Sequence, residues 1–173
     1  MVYLLYGEDS YLKNNYLNKL KKQFGELVLG INYIEIDENN VQNIITDIET
    51  PSFGYDTKLI IVKNTKLFTK KNPLAEKISD YLKDNKIEDV MIIFVEETAE
   101  KNALFKTISK IGEVKEFGTK KISDIISNVK QIASAYHVNI DNSVAQYFVE
   151  CTGLNMQDVI NEIRKLIEYA GEN

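Results

Sequence analysis

The chain has 173 residues, enough for one full domain or for one domain and part of a second. Its 44% hydrophobic and 27% charged residues are ordinary for a soluble globular protein, and its net charge of −5 argues against a generally basic chain that coats nucleic acid. One cysteine, Cys151, and one histidine, His137, are too little for a disulfide framework, a zinc site or a histidine-dependent triad.

No run reaches transmembrane length and no basic-then-apolar leader precedes the first strand, so no membrane partner is expected and a reducing cytoplasm is the expected setting. Val2–Tyr6 reads as a short strand that runs through Gly7 into a helix over Tyr11–Phe24. Ser10 is the expected cap, and Leu12, Tyr16, Leu17 and Leu20 share one face. Strand, glycine and helix in this order are the layout of a P-loop. A working one needs a second glycine to curl the backbone around phosphate, a lysine for the β/γ-phosphates and a Ser/Thr for Mg²⁺. Here Glu8 and Asp9 follow Gly7, no Gly-Lys-Ser/Thr follows, and Lys13 reads as a solvated helix lysine. No cofactor, metal or catalytic residue is expected.

Gly25 ends the helix, Ile31–Ile36 alternates as a half-buried strand does, and Asn40 is placed to cap a short helix through Val41, Ile44, Ile45 and Ile48. Lys58–Lys63 encloses Leu-Ile-Ile-Val, the kind of run found inside a parallel sheet. Lys58, Lys63, Lys66, Lys70 and Lys71 form the densest basic stretch, read as a solvated loop with nucleic-acid contact as the competing reading. Asn72-Pro73 opens a helix carrying Leu74, Ile78, Tyr81 and Leu82, and Val90–Val95 is a second fully apolar strand. Glu96 and Glu97 end that strand; paired acids there can hold Mg²⁺, but without a lysine loop they read as solvated. A helix over Asn102–Ile111 stops at Gly112, and Glu113–Phe117 is a fifth strand.

Five alternations of strand and helix predict a three-layer α/β domain with a mostly parallel five-stranded sheet. After Phe117 the alternation stops. Ser123–Tyr136 is amphipathic, Asp141 is placed to cap a helix over Asn142–Cys151, and Asn155 to cap one from Met156 to about Tyr169. Cys151 is expected to be a small buried hydrophobe, and Tyr11, Tyr16, Tyr81 and Tyr147 to be core rather than stacking platforms for bases. The domain boundary is placed near residue 138, giving an α/β domain 1–138 and a partial helical domain 139–173, as in the front part of a longer protein.

Pro51-Ser-Phe-Gly54 sets a large aromatic on a turn between helix and strand, where it serves either as an interface anchor or as a plug under the sheet edge. Four stretches in register carry a family resemblance: Tyr3-Leu-Leu-Tyr-Gly-Glu-Asp9; Glu49-Thr-Pro-Ser-Phe-Gly54 before Lys58-Leu-Ile-Ile-Val-Lys-Asn64; Glu116-Phe117 before an amphipathic helix; and Gly153-Leu-Asn-Met-Gln-Asp-Val-Ile-Asn-Glu-Ile-Arg-Lys-Leu166. Together they resemble the delta subunit of bacterial DNA polymerase III, a clamp-loader component. That resemblance implies a degenerate ATPase-like domain of AAA+/RecA-like type, the start of a helical lid, and a ring-forming collar domain beyond this chain. It implies a subunit with no catalysis of its own, within the polymerase holoenzyme. Its partners would be the sliding clamp, whose ring it opens, the other loader subunits, and primed DNA in the full complex. Carried over by position, the clamp-binding pair is Ser52 and Phe53. Ser52 stands where some members carry leucine, so Ile48, Pro51 and Tyr55 are the candidates for supporting contacts. A nucleotide-binding enzyme with an atypical loop, and a single-stranded nucleic-acid binder, are the competing functions.

Overall fold

The computed structural model describes residues 1–118 and 121–170. Five strands, β1 (Val2–Tyr6), β2 (Tyr33–Ile36), β3 (Lys58–Lys63), β4 (Val90–Glu96) and β5 (Glu113–Glu116), form one sheet in the order β2-β3-β4-β1-β5. Every adjacent pair is parallel, with Leu4 opposite Phe94 and Ile60 opposite Ile92. Leu4, Ile60, Val62, Ile92 and Phe94 pack into one core with Ile44 and Ile48, Ile78 and Leu82, and Leu104 and Ile108. The alternate residues Leu5, Leu59, Ile61 and Ile93 face the other way and are equally buried, so both faces are covered. This is the expected α/β sheet.

The helices of this part are α1 (Ser10–Phe24), α2 (Ile44–Glu49, after a 3-10 turn Val41–Asn43), α3 (Pro73–Asp84) and α4 (Ala103–Ile111). Asn72 and Asn102 cap α3 and α4 by accepting from the backbone N–H of Ala75 and Phe105. Three caps differ from expectation, one being Asp141, which makes no side-chain hydrogen bond to the helix that begins at Asn142. Asp9, not Ser10, accepts from Leu12 N–H at 2.9 Å, because a helix beginning at Ser10 puts Asp9 in the capping position. Asn40 makes no capping bond, since its side-chain oxygen is taken by Asp37 N–H. The second strand is also shorter than Ile31–Ile36: Ile31 is exposed and Asn32 buried, its amide bonded to Val28 N–H and Glu26 O.

The chain divides into two compact units, Met1–Glu8 with Lys13–Phe117, and Asp9–Leu12 with the chain from Gly118 on. The second contains α5 (Ile122–Ala135), α6 (Asn142–Thr152) and α7 (Met156–Ala170). Ile125 and Val129 of α5 share a core with Val149, Val159 and Ile163. The division therefore falls before α5 rather than near residue 138, because the apolar stripe of α5 is buried by α6 and α7. Cys151 and Tyr147 are exposed on α6, not buried, since its inward positions belong to Ala145 and Val149.

Candidate functional site

Two places in the first unit bear on function, one at the carboxyl ends of the strands and one at their amino ends. At the carboxyl end of β1 the backbone reaches Gly7 with φ 125°, and a Cβ there would lie 2.1 Å from the carbonyl oxygen of Phe117. Glycine is required by that close approach, with no phosphate involved. Lys13 is buried, contrary to the solvated lysine expected. Its Nζ donates to Gly7 O and to Glu96 O, each at 2.8 Å. Glu96 is buried too; its carboxylate accepts from Thr65 N–H at 2.9 Å and Thr65 Oγ1–H at 2.8 Å. Burial raises the Glu96 carboxyl above the usual glutamate value, against the lowering effect of the Thr65 hydrogen bonds and the Lys13 charge.

A phosphate site presents backbone N–H groups to an anion. This corner turns carbonyls toward an internal ammonium, and nearby Asn64 and Lys66 take positive φ to bring Thr65 onto Glu96. The adjoining cleft of about 480 Å³ is lined by Glu96, Glu97 and Glu100 as well as Lys66 and Lys70. The lysine stretch is not a free basic stripe. Lys58 is buried, Lys63 lies 3.4 Å from Glu35 and Lys66 2.6 Å from Glu38, while Leu67 and Phe68 are in the core. Among the described residues no group of three or more His, Cys, Asp or Glu side chains could hold a metal ion. No described helix is long and apolar enough to cross a membrane.

At the other edge, α2 ends on Thr50, whose N–H and Oγ1–H both donate to Thr46 O. Pro51 has no N–H to continue the helix, and Thr50 is extended, as residues before proline are (φ −69°, ψ 121°). Ser52–Tyr55 then makes a turn with Phe53 and Gly54 at its centre. Gly54 has φ 79°, as the third position of a type II turn requires, and Tyr55 N–H points to Ser52 O at 3.5 Å. Ser52 Oγ–H donates to Tyr55 O at 3.0 Å. The turn holds Phe53 91% exposed, the joint highest exposure among the large hydrophobic residues described, so it does not plug the sheet edge. Pro51 is exposed, Ser52 and Tyr55 are half-buried, and Ile48 is in the core. A cleft of about 350 Å³ beside the turn is lined by Pro51, Ser52, Tyr55, Lys58, Tyr81 and Ile87 among others.

A sequence model described as DNA polymerase III, delta subunit, matches residues 3–118, most of the chain and all of the sheet but Val2. The chain belongs to the DNA polymerase III delta-subunit family. It is 28% identical over 182 residues to the probable DNA polymerase III subunit delta of Aquifex aeolicus, across 99% of this chain and 51% of that protein. With the DNA polymerase III subunit delta of Bacillus subtilis it shares 24% over 185 residues, 99% of this chain and 52% of the relative. The delta-family chain thus spans about half the length of the curated relatives it matches. In structure it resembles the B. subtilis DNA clamp loader delta protein, with a TM-score of 0.64 at 20% identity over 99% of this chain and 54% of that one. It also resembles AMPPCP-bound DnaA from Aquifex aeolicus, with a TM-score of 0.54 at 14% identity over 97% of this chain and 55% of that one. At such identities these likenesses concern the fold, which is of the AAA+ type.

Three charged residues of this delta-family chain, Lys13, Lys58 and Glu96, are buried against expectation, and for the two lysines the sequence carries a signal. Lys13 stands at i with Leu17 at i+4 and Leu20 at i+7, so the apolar stripe itself points it inward. Lys58 was counted with the basic stretch, although a lysine opening a fully apolar strand is a signal of burial.

Proposed function

We propose that this chain is the clamp-docking part of a clamp-loader delta subunit. It has no catalysis of its own; it binds the sliding clamp with Phe53 at the centre of the contact and opens the ring for loading onto primed DNA during replication in the cytoplasm. The observation that carries this reading is Phe53 itself, an aromatic side chain left in solvent on a turn whose Gly54 takes positive φ. A displayed aromatic on an ordered turn loses little conformational freedom on docking, and enclosing it in an apolar pocket contributes about 1.5–3 kcal/mol. Ser52, Pro51 and Tyr55 would line the rim of that contact. Family membership supports the loader assignment. We place contacts with the other loader subunits in the half of the relatives outside the matched region.

Nucleotide chemistry has no comparable support, because Lys13 fills the corner where phosphate would sit. The test is titration of the chain with its cognate sliding clamp, wild-type and Phe53→Ala side by side, with thermal unfolding of both. Loss of affinity at unchanged Tm supports the reading, and equal affinity overturns it.

A further inference from the structure

We infer that Lys58 is a positioning residue that holds the Phe53 turn in its docking shape. Lys58 opens β3, and only 2% of it is exposed. A lysine so buried needs hydrogen-bond partners for its ammonium. It has two, both at the end of α2: Nζ donates to Asp47 O at 2.8 Å and to Thr50 O. In a continuing helix Asp47 O would accept from the N–H of residue 51, but that residue is Pro51 and has none. Lys58 supplies the missing donor, and its charge sits at the negative end of the helix dipole.

The main chain of Lys58 is itself fixed, since its N–H donates to Asp89 O at 2.8 Å and it pairs with Val90 in the sheet. One side chain therefore ties Thr50, where the loop leaves the helix, to the strand where the loop re-enters. Between those points, the turn has only the Ser52–Tyr55 bonds described above. Without the ammonium, Thr50 and Asp47 lose their tether and Phe53 samples directions that do not dock. Burial pushes the Lys58 amine below its usual value, against the pull of Asp47, in keeping with an enclosed cation.

The inference rests on the docking role of Phe53, so the experiment measures Lys58 and Phe53 variants together. Lys58→Met keeps the apolar stem and removes the donors, Lys58→Arg keeps donors, and Phe53→Ala is the control. Each is titrated with the cognate sliding clamp, and amide hydrogen exchange is followed in the free chain at Thr50 and Tyr55 in the loop and at Ile92 in β4. If the tether's loss leaves the turn competent about one-tenth of the time, Lys58→Met weakens clamp binding about tenfold. Exchange at Thr50 and Tyr55 then speeds by at least about that factor while Ile92 keeps its protection. Lys58→Arg recovers most of both. Wild-type affinity in Lys58→Met while Phe53→Ala fails to bind overturns the positioning role. So does equal acceleration at Ile92 and Tyr55 with unchanged affinity per folded molecule, which marks a lysine that serves only stability. Wild-type affinity in Phe53→Ala instead removes the docking reading, and the positioning role with it.

Discussion

At the carboxyl edge of the sheet, groups that could have served a ligand are bonded to one another; at the amino edge, a side chain that could have been buried is left in solvent. Lys13, Gly7, Glu96 and Thr65 close a corner with the layout of a nucleotide site, and the hydrogen bonds that close it are internal. The Phe53 turn keeps an aromatic 91% exposed beside a cleft. Buried polar groups bonded to each other belong to the scaffold, and the uncovered aromatic is the group that the proposed docking role uses. Under that proposal the contrast separates scaffold from site within one sheet.

The largest effect expected from that contrast is at the turn. Phe53→Ala should weaken clamp binding by about 2–4 kcal/mol, roughly 30- to 1,000-fold in Kd, as a buried aromatic hot spot would. Its Tm should stay within a degree or two, because truncating an exposed side chain removes little packing. A large fall in Tm with unchanged affinity per folded molecule would reverse the roles of the two regions.

Lys13→Met should do the opposite. Two buried carbonyls lose a charged donor, so unfolding free energy should fall by about 1–3 kcal/mol in denaturant titrations. Clamp affinity should be unchanged at temperatures where the variant is folded; a matching loss of affinity would mean the corner and the turn are coupled.

A smaller effect is expected at Glu96, through pH. Burial raises its folded-state value above the ordinary glutamate value, so folding favours the protonated acid. That contribution is full below the unfolded value and is lost as pH rises through the raised one. Glu96→Gln does not titrate, so its stability relative to wild type should improve as pH rises above the ordinary glutamate range. A flat difference would show that the Thr65 hydrogen bonds and the Lys13 charge cancel the effect of burial.

The smallest expected effect is none. Mg·ATP should release no heat beyond dilution in isothermal titration, and should leave Tm unchanged, since a ligand specific for the native state must raise it. Micromolar binding would show that the corner opens.

Much of the first unit was legible in the chain. The apolar strands at Lys58–Lys63 and from Val90, the Asn72 cap and the stop at Gly112 follow from local spacing and capping chemistry. The errors share a cause. Lys13, Lys58 and Glu96 were read as solvated because charged residues usually are, and each is buried because its partner lies elsewhere in the fold. Cys151 and Tyr147 were read as buried because they lie on an amphipathic helix, yet α6 turns another face inward. The boundary was set at the linker after α5, whereas the packing of Ile125 and Val129 joins α5 to the helices that follow.

By itself the sequence determined the local structure, including the turn on which Phe53 stands. Proline stops the helix at 51 and glycine turns the chain at 54, and both act within a few residues of where they stand. What the tertiary structure decided was adjacency. The order β2-β3-β4-β1-β5 sets β4 beside β1, so Glu96 O reaches Lys13 across 83 residues of chain and the nucleotide-like corner closes. The same sheet brings Lys58 under the end of α2, where its ammonium meets the carbonyl that Pro51 leaves open. Parallel strands are joined by crossovers that local periodicity does not order, and so whether a buried charge has a partner is settled only when the sheet is assembled.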